Sequence, residues 1–240
     1  MTFKHAARKF VQSWGLNVSR FPSDDHPTLQ VVKLLQHCNI NLVLDVGANE
    51  GQYATGLRRF GYANRIVSFE PVGEPYRSLE KHCRFDSDWM SMNCAIGAKS
   101  ATTTIHVAAN NSASSSMLPM LPAHEDAAPT AKIIGVETVT QHTLDSLWPQ
   151  ITRQTDVVFL KADVQGYERH VLNGVVNNLD RITGMQLELS MVPLYEGAWL
   201  YDEALKWSCE QGFTLMSVIP GFTDVRTGQM LQCDGVFFRT

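Results

Sequence analysis

The chain is 240 residues long, 44% hydrophobic and 18% charged, with a formal net charge of −4. That length suits one large α/β domain, and no apolar run approaches the ~20 residues of a membrane span, so a transmembrane segment is excluded. Lysines and arginines are scattered through a net-acidic sequence, which argues against a nucleic-acid partner, because binding phosphates takes clustered positive charge.

The N-terminal stretch MTFKHAARKFVQSWGLNVSR carries Lys4, Arg8 and Lys9 but neither a following apolar segment nor a small-residue cleavage site. It therefore predicts no secretory signal. Its apolar residues Phe3, Ala7, Phe10, Val11 and Trp14 share one side of a helix, expected to pack on the flank of the domain. Residues 1–40 are read as this helical segment and residues 41–240 as the main domain. Pro27 opens a second helix through Leu29, Val32 and Leu35.

From Leu42 the pattern alternates. LVLDV predicts a strand and the residues after Gly51 a helix. RIVSFEP predicts the next strand, Tyr76 to Arg84 a helix, and WMSMNCAIG a third strand, with TTTIHVAAN a β-rich excursion. The apolar runs DVVFLKAD and GMQLELS read as central parallel strands joined by the helix YERHVLNGVVNNL. The helix YDEALKWSCEQG, with Gly212 as its cap, precedes the β runs FTLMSVIP and GVFFRT. Alternating strands and helices imply a doubly wound, mostly parallel α/β sheet with helices on both faces.

One segment breaks the rhythm. Residues 110–134, rich in Ser, Ala and Pro, have no clear period, and a loop of such length is either an active-site lid or a plain insertion. The five cysteines are odd in number and none stands at C-x-x-C spacing. They predict neither a disulfide framework nor a zinc site, and reduced thiols fit a cytoplasmic protein.

The turn DVGANEG has Gly47 and Gly51, but Asn49 occupies the position where a dinucleotide fold places its pyrophosphate glycine. A smaller nucleoside-type ligand is expected. Glu70 ends the second predicted strand, where an acidic side chain can accept both ribose hydroxyls. Alone, Asp45 reads as a turn former and Glu70 as a solvated charge; together, at matched strand ends, they favour a ribose-bearing cofactor.

LVLDVGANEGQY, SFEP, NCAIG, TLDSL, LKADVQGYE and VPLYEG occur here in an order that resembles the FkbM family of S-adenosylmethionine-dependent methyltransferases, over roughly residues 40 to 240. The resemblance implies a class I methyltransferase (Rossmann-like) fold, a seven-stranded sheet with its last strand antiparallel. It further implies O-methylation of a hydroxyl, often on a sugar or polyketide. By the same resemblance Asp45, Gly47, Ala48, Asn49 and Gly51 would surround the methionine part of S-adenosylmethionine, Glu70 would hold the ribose, and Asn93 and Ala95 would lie near the adenine. Where the family commonly has D-x-E-G-x-E, this chain has Asp163, Val164, Gln165, Gly166, Tyr167 and Glu168, so a negative charge is missing at Gln165.

Methyl transfer to a hydroxyl requires its proton to be taken by a base or its pKa to be lowered by a metal. Asp163, at the end of the fourth main strand, suits either role, and Glu188 on the neighbouring strand would let the pair share a Mg²⁺. The competing readings are a helix N-cap for Asp163 and a polar-face residue for Glu188. Tyr195, Glu196 and Trp199 offer aromatic faces and a carboxylate for an acceptor, or simply pack as a helix lead-in. The expected partner is a small-molecule or glycolipid hydroxyl acceptor; the oligomeric state is not read. A nucleotide-dependent oxidoreductase and a cofactor-binding protein without turnover are the alternative functions, and Asn49 speaks against the first.

Overall fold

The computed structural model of the chain describes residues 10–15, 23 and 25–239. The expected N-terminal helix falls mostly outside these residues, Phe3 and Ala7 included; of its apolar side, Phe10 and Trp14 are 66% and 73% exposed.

The strands are β1 (Leu42–Val46), β2 (Arg65–Phe69), β3 (Trp89–Met92), β4 (Ala95–Ile96), β5 (Ala101–Ala108), β6 (Ile133–His142), β7 (Val158–Ala162), β8 (Ile182–Ser190), β9 (Phe213–Pro220) and β10 (Gln232–Arg239). The helices are α1 (Pro27–His37), α2 (Gln52–Arg59), α3 (Gly73–Cys83), α4 (Pro122–Ala127), α5 (Leu144–Ile151), α6 (Glu168–Asn173) and α7 (Tyr201–Glu210). Seven strands form the main sheet in the order β3-β2-β1-β7-β8-β10-β9. Neighbours from β3 to β8 pair in parallel, and β10, last in the chain, runs antiparallel to both β8 and β9. This is the class I methyltransferase architecture that the family resemblance implies.

Both faces of the sheet are covered, which is why its strands read as continuous apolar runs. On one face Leu42, Leu44, Val46, Leu160 and Ala162 meet Leu144, Leu147, Trp148 and Ile151 of α5 and Val171 and Leu172 of α6. On the other, Val43 and Phe159 meet Val31, Val32 and Leu35 of α1 and Ala54 and Leu57 of α2. Each fully buried aliphatic side chain stabilises the fold by roughly 1.5–3 kcal/mol. Pro27 stands at the first position of α1, as read, and Gly212 follows α7 with φ +81.

Three elements differ from the sequence reading. WMSMNCAIG splits into β3 and β4, and β4 leaves the main sheet for a three-stranded sheet ordered β4-β6-β5. The sequence IIGVETVTQH, whose first two residues are read above as part of the aperiodic segment, is β6, antiparallel to the whole of β5; its β-branched residues carry the strand signal, but Ile134 and Val136 are exposed and burial alternates only from Glu137 onward. The helix expected over YERHVLNGVVNNL stops at Asn173. Gly174 packs against Gly97, where a Cβ would lie 2.2 Å from a carbonyl oxygen, and the chain turns away there.

The two glycines of the β1 turn answer to packing. Gly47 has φ +76, and a Cβ on it would lie 1.9 Å from the carbonyl oxygen of Asp163; a Cβ on Gly51 would press at 3.0 Å on Leu79 and Trp89. Gly47→Ala should therefore destabilise the protein by about 3 kcal/mol or more, combining left-handed strain with a backbone collision. Gly61→Ala, at φ +93 with open space around it, should lose only the conformational part, about 1 kcal/mol. Urea denaturation of the two variants checks this; equal losses would show that the approach of Asp163 to Gly47 is not tight.

Candidate active site

A cavity of about 270 Å³ opens at the carboxyl ends of β1, β2, β4 and β7, the edge at which open α/β sheets bind their ligands. Val46, Gly47, Ala48 and Asn49 form one side, Phe69, Glu70, Ala95 and Ile96 another, and Lys161, Asp163, Gln186 and Asp234 the end nearest β8 and β10. Ile105 and Met117 close it from the small sheet and the segment that follows.

Glu70 is 5% exposed and its two carboxylate oxygens accept from the backbone N–H of Asn49 at 2.7 Å and of Val72 at 2.8 Å. It thereby fixes the turn after β1 to the turn after β2. Burial pushes its pKa up to about 7, against the pull of those two donors. Asn93, expected near an adenine, instead ties down this corner: its side-chain amide donates to the carbonyls of Glu70 and Pro71. Ala95 does line the cavity.

Asp45 does not. Its carboxylate is fully buried in the sheet, where Ser68 Oγ donates to Oδ2 at 3.0 Å and Lys161 Nζ lies 3.2 Å from Oδ1. The expectation that Asp45 faces a ligand's ammonium gives way to an internal ion pair, because a buried carboxylate requires an opposite charge within reach. Lys161 also donates to the carbonyl of Gly47 at 2.9 Å and lies 3.5 Å from Asp163 Oδ2. Burial works against its charge, but Asp163 and Asp45 outweigh it and hold its pKa above the usual lysine value.

The loop Asp163–Glu168 is shaped by its own side chains. Glu168 Oε1 accepts from the N–H groups of Val164 and Gly166, and burial first, tempered by those donors, leaves its pKa near 7. Gln165 sits in the left-handed region at φ 56, unusual for a side chain of that size and a mark of a functional turn. Its amide Nε2 lies 3.0 Å from Asp163 Oδ1 and 3.0 Å from each oxygen of Glu188, while Tyr195 Oη donates to its Oε1 at 2.8 Å. Gly166 makes room for Tyr195 and Ala198, not for a ligand: a Cβ there would come within 2.9 Å of Ala198.

This arrangement gives the metal expectation no support. Asp163 and Glu188 do converge, but an amide nitrogen occupies the space between them, where Mg²⁺ would need oxygen ligands at about 2.0–2.1 Å. Among the described residues no group of three or more His, Cys, Asp or Glu is arranged to hold a metal ion. Burial and then Asp163 raise the Glu188 pKa well above the usual carboxylate range.

The expected acceptor residues separate. Tyr195 is 1% exposed, behind Gln165; Glu196 is exposed, its backbone bonded to Pro119; and Trp199 is buried in the core against Trp207. Lys161, Gln186 and Asp234, absent from the sequence reading, take part in the cavity instead. The signal for Lys161 was its place inside the apolar run VVFLKA, since a charge in a central strand must be paired.

A sequence model of the methyltransferase FkbM domain matches residues 45–215, well over half of the chain. No curated protein matches closely enough to count as a relative. Among solved structures, a candidate O-methyltransferase from Klebsiella pneumoniae superposes with a TM-score of 0.51 at 8% identity, covering 98% of this chain and 89% of its own. That likeness concerns the fold. Fibrillarin from Aeropyrum pernix, solved with natively bound S-adenosyl-L-methionine, has a TM-score of 0.47 at 12% identity, covering 82% of this chain and 66% of its own.

Two outcomes follow from the geometry. Glu70→Ala should lower the stability of the ligand-free protein by about 2–4 kcal/mol, because two buried backbone donors lose a charged partner; an unchanged urea midpoint would show that the carboxylate does not hold the two turns together. Asp234 has its pKa pushed up from 3.8 to about 6 by burial and then by Asp163. The folded chain thus keeps a proton that the unfolded chain releases above about pH 4, and that stability is lost as pH rises through about 6. Asp234→Asn escapes the loss, so relative to wild type it should gain about 2 kcal/mol between pH 4 and pH 7. A pH-independent difference in melting temperature would contradict the shift.

Proposed function

The chain belongs to the FkbM family of S-adenosylmethionine-dependent methyltransferases, and from that premise we propose that it methylates a hydroxyl oxygen, of a sugar in a glycolipid, saccharide or glycosylated metabolite. The observation that carries this reading is Asp163, a half-buried carboxylate at the end of β7 that faces the same cavity as Glu70.

The residues present suit the cofactor. Phe69, Ala95, Ile96 and Ile105 offer an apolar slot for a purine, and the Glu70 oxygens retain lone pairs for ribose hydroxyls beyond the two N–H groups they accept. Gly47, Ala48 and Asn49 would border its amino-acid part; Gly51, whose missing Cβ makes room for Trp89, acts behind them. Bound there, S-adenosylmethionine supplies an electrophilic methyl group. Asp163 takes the acceptor's proton as its oxygen forms the new bond, held in orientation by Gln165 Nε2 and by the ammonium of Lys161. Glu188, its pKa raised by burial and then by Asp163, orients Gln165. No metal enters this scheme.

No helix among the described residues is long and apolar enough to cross a membrane. The five free cysteines support a reducing, cytoplasmic setting.

The test combines calorimetry with S-adenosylmethionine and transfer of a ¹³C-methyl group to saccharides, glycolipids and polyketides, with amine and thiol analogues as competitors. The expected product is a methyl ether, identified by its carbon shift, with S-adenosylhomocysteine released. Asp163→Asn should reduce that turnover by about 10²- to 10⁴-fold while leaving cofactor affinity and melting temperature near wild type. Methylation at nitrogen or sulfur only, or near-normal turnover of the Asn variant, would overturn the assignment.

A further inference from the structure

A second cavity, of about 300 Å³, shares Ala113 and Gln165 with the first and is lined besides by Asn110, Ser114, His124, Glu188, Phe222 and Gln232. No function discussed above uses it. Two of its side chains are orphaned: His124 and Gln232 are each 2% exposed, yet His124 Nδ1 and Gln232 Nε2 have no hydrogen-bond partner. Buried polar atoms in folded proteins are almost always paired, so two unpaired ones on the walls of one cavity point to a ligand that completes them. The space is about ten times the ~30 Å³ a liquid water occupies, enough for a small organic group.

The lining also carries no lysine or arginine. Burial depresses the His124 pKa to about 4, leaving a neutral imidazole. Burial and then Asp163 raise the Glu188 pKa well above the usual carboxylate range. The remaining polar groups are amides and a hydroxyl. A phosphate or carboxylate would meet no cation here. One aromatic wall accompanies them: His124 stands between Tyr195 and Phe222, 5.2 Å from each ring centre. Neutral donors and acceptors around a volume with an apolar face suit an uncharged ring bearing several hydroxyls.

We propose that this cavity is the acceptor subsite, and that it takes a neutral polyhydroxylated ring, one hydroxyl of which reaches past Gln165 toward Asp163. The proposal rests on the methyltransferase reading of the first cavity. It assigns acceptor recognition to His124, Gln232 and Asn110 in place of Glu196 and Trp199. It also gives the segment 110–134 a task, since that segment supplies Asn110, Ser114 and His124, and Ser116 Oγ anchors it by donating to the Gln165 carbonyl at 2.7 Å.

The experiment is saturation-transfer NMR on the protein loaded with S-adenosylhomocysteine. The probes are a panel of methyl glycosides, with glucuronate and glucosamine as charged counterparts, applied to wild type, His124→Phe and Gln232→Leu. At least one methyl glycoside should receive saturation in wild type, fall several-fold in both variants and exceed the charged sugars, while S-adenosylhomocysteine affinity and melting temperature hold. Equal transfer in wild type and both variants would overturn the proposal, as would contact with the charged sugars alone or with no glycoside in a protein that binds S-adenosylhomocysteine. Failure to bind S-adenosylhomocysteine would be a different result: it would strike the reading of the first cavity, and the subsite with it.

Discussion

The ammonium of Lys161 is the charge on which the strand ends depend. It sits 5% exposed on a central strand and reaches the Gly47 carbonyl, Asp45 and Asp163. A lone carboxylate buried as Asp45 is would be strongly destabilising, and so would a lone buried ammonium. Each is tolerated because the other is there. The cation thereby joins the turn after β1 to the end of β7, where the Asp163 N–H donates to the Val46 carbonyl and its backbone lies so close to Gly47 that only glycine fits. The Tyr53 ring lies 5.5 Å from the same ammonium, and its hydroxyl donates to Gln186 on β8, so the constraint spreads across three neighbouring strands.

Around that cation the site gathers more carboxyl groups than it could hold ionised. Asp163, Glu168, Glu188 and Asp234 interact electrostatically, and the last three have pKa values raised by burial with Asp163 as a common repulsive neighbour. The chain relieves this in two ways. The pKa values of the more buried members rise, and the amide of Gln165 lies between Asp163 and Glu188, donating where a glutamate would add another negative charge. The departure from the family pattern at Gln165 thus has a physical effect: it replaces like-charge crowding with hydrogen bonds. Its left-handed backbone and its bond from Tyr195 hold that amide in place.

The walls of both cavities combine strand ends of the main sheet with parts of the chain that the sheet does not need. Segment 110–134 lies across the strand ends, fixed by Leu121 N–H to the Leu194 carbonyl, by Tyr195 Oη to the Ser114 carbonyl and by Ser116 to Gln165. The small sheet of β4, β5 and β6 carries it there. Leu118, Met120 and Ala127 of the segment pack against Leu194, Tyr195 and Leu231, so apolar contact joins these hydrogen bonds in ordering it.

The fold was legible in the order of apolar runs. LVLDV and DVVFLKAD read as central strands because strands covered on both faces carry near-continuous apolar runs, and Pro27 and Gly212 mark helix ends by backbone geometry alone. The cavity's position at the strand ends followed from the same alternation, and Glu70, Asp163 and Gln165 could be singled out from strand-end positions and a family pattern. The partners of those residues were not legible. Whether Asp45 faces a ligand or a lysine depends on register between β1 and β7, where Asp45 stands beside Lys161. Asp234 and Gln232 reach the site only because β10 inserts antiparallel beside β8, which sets Asp234 opposite Glu188. Local sequence determines which face of a strand a side chain occupies; what it meets there is decided by pairing between distant segments, and charge, burial and protonation follow from that meeting.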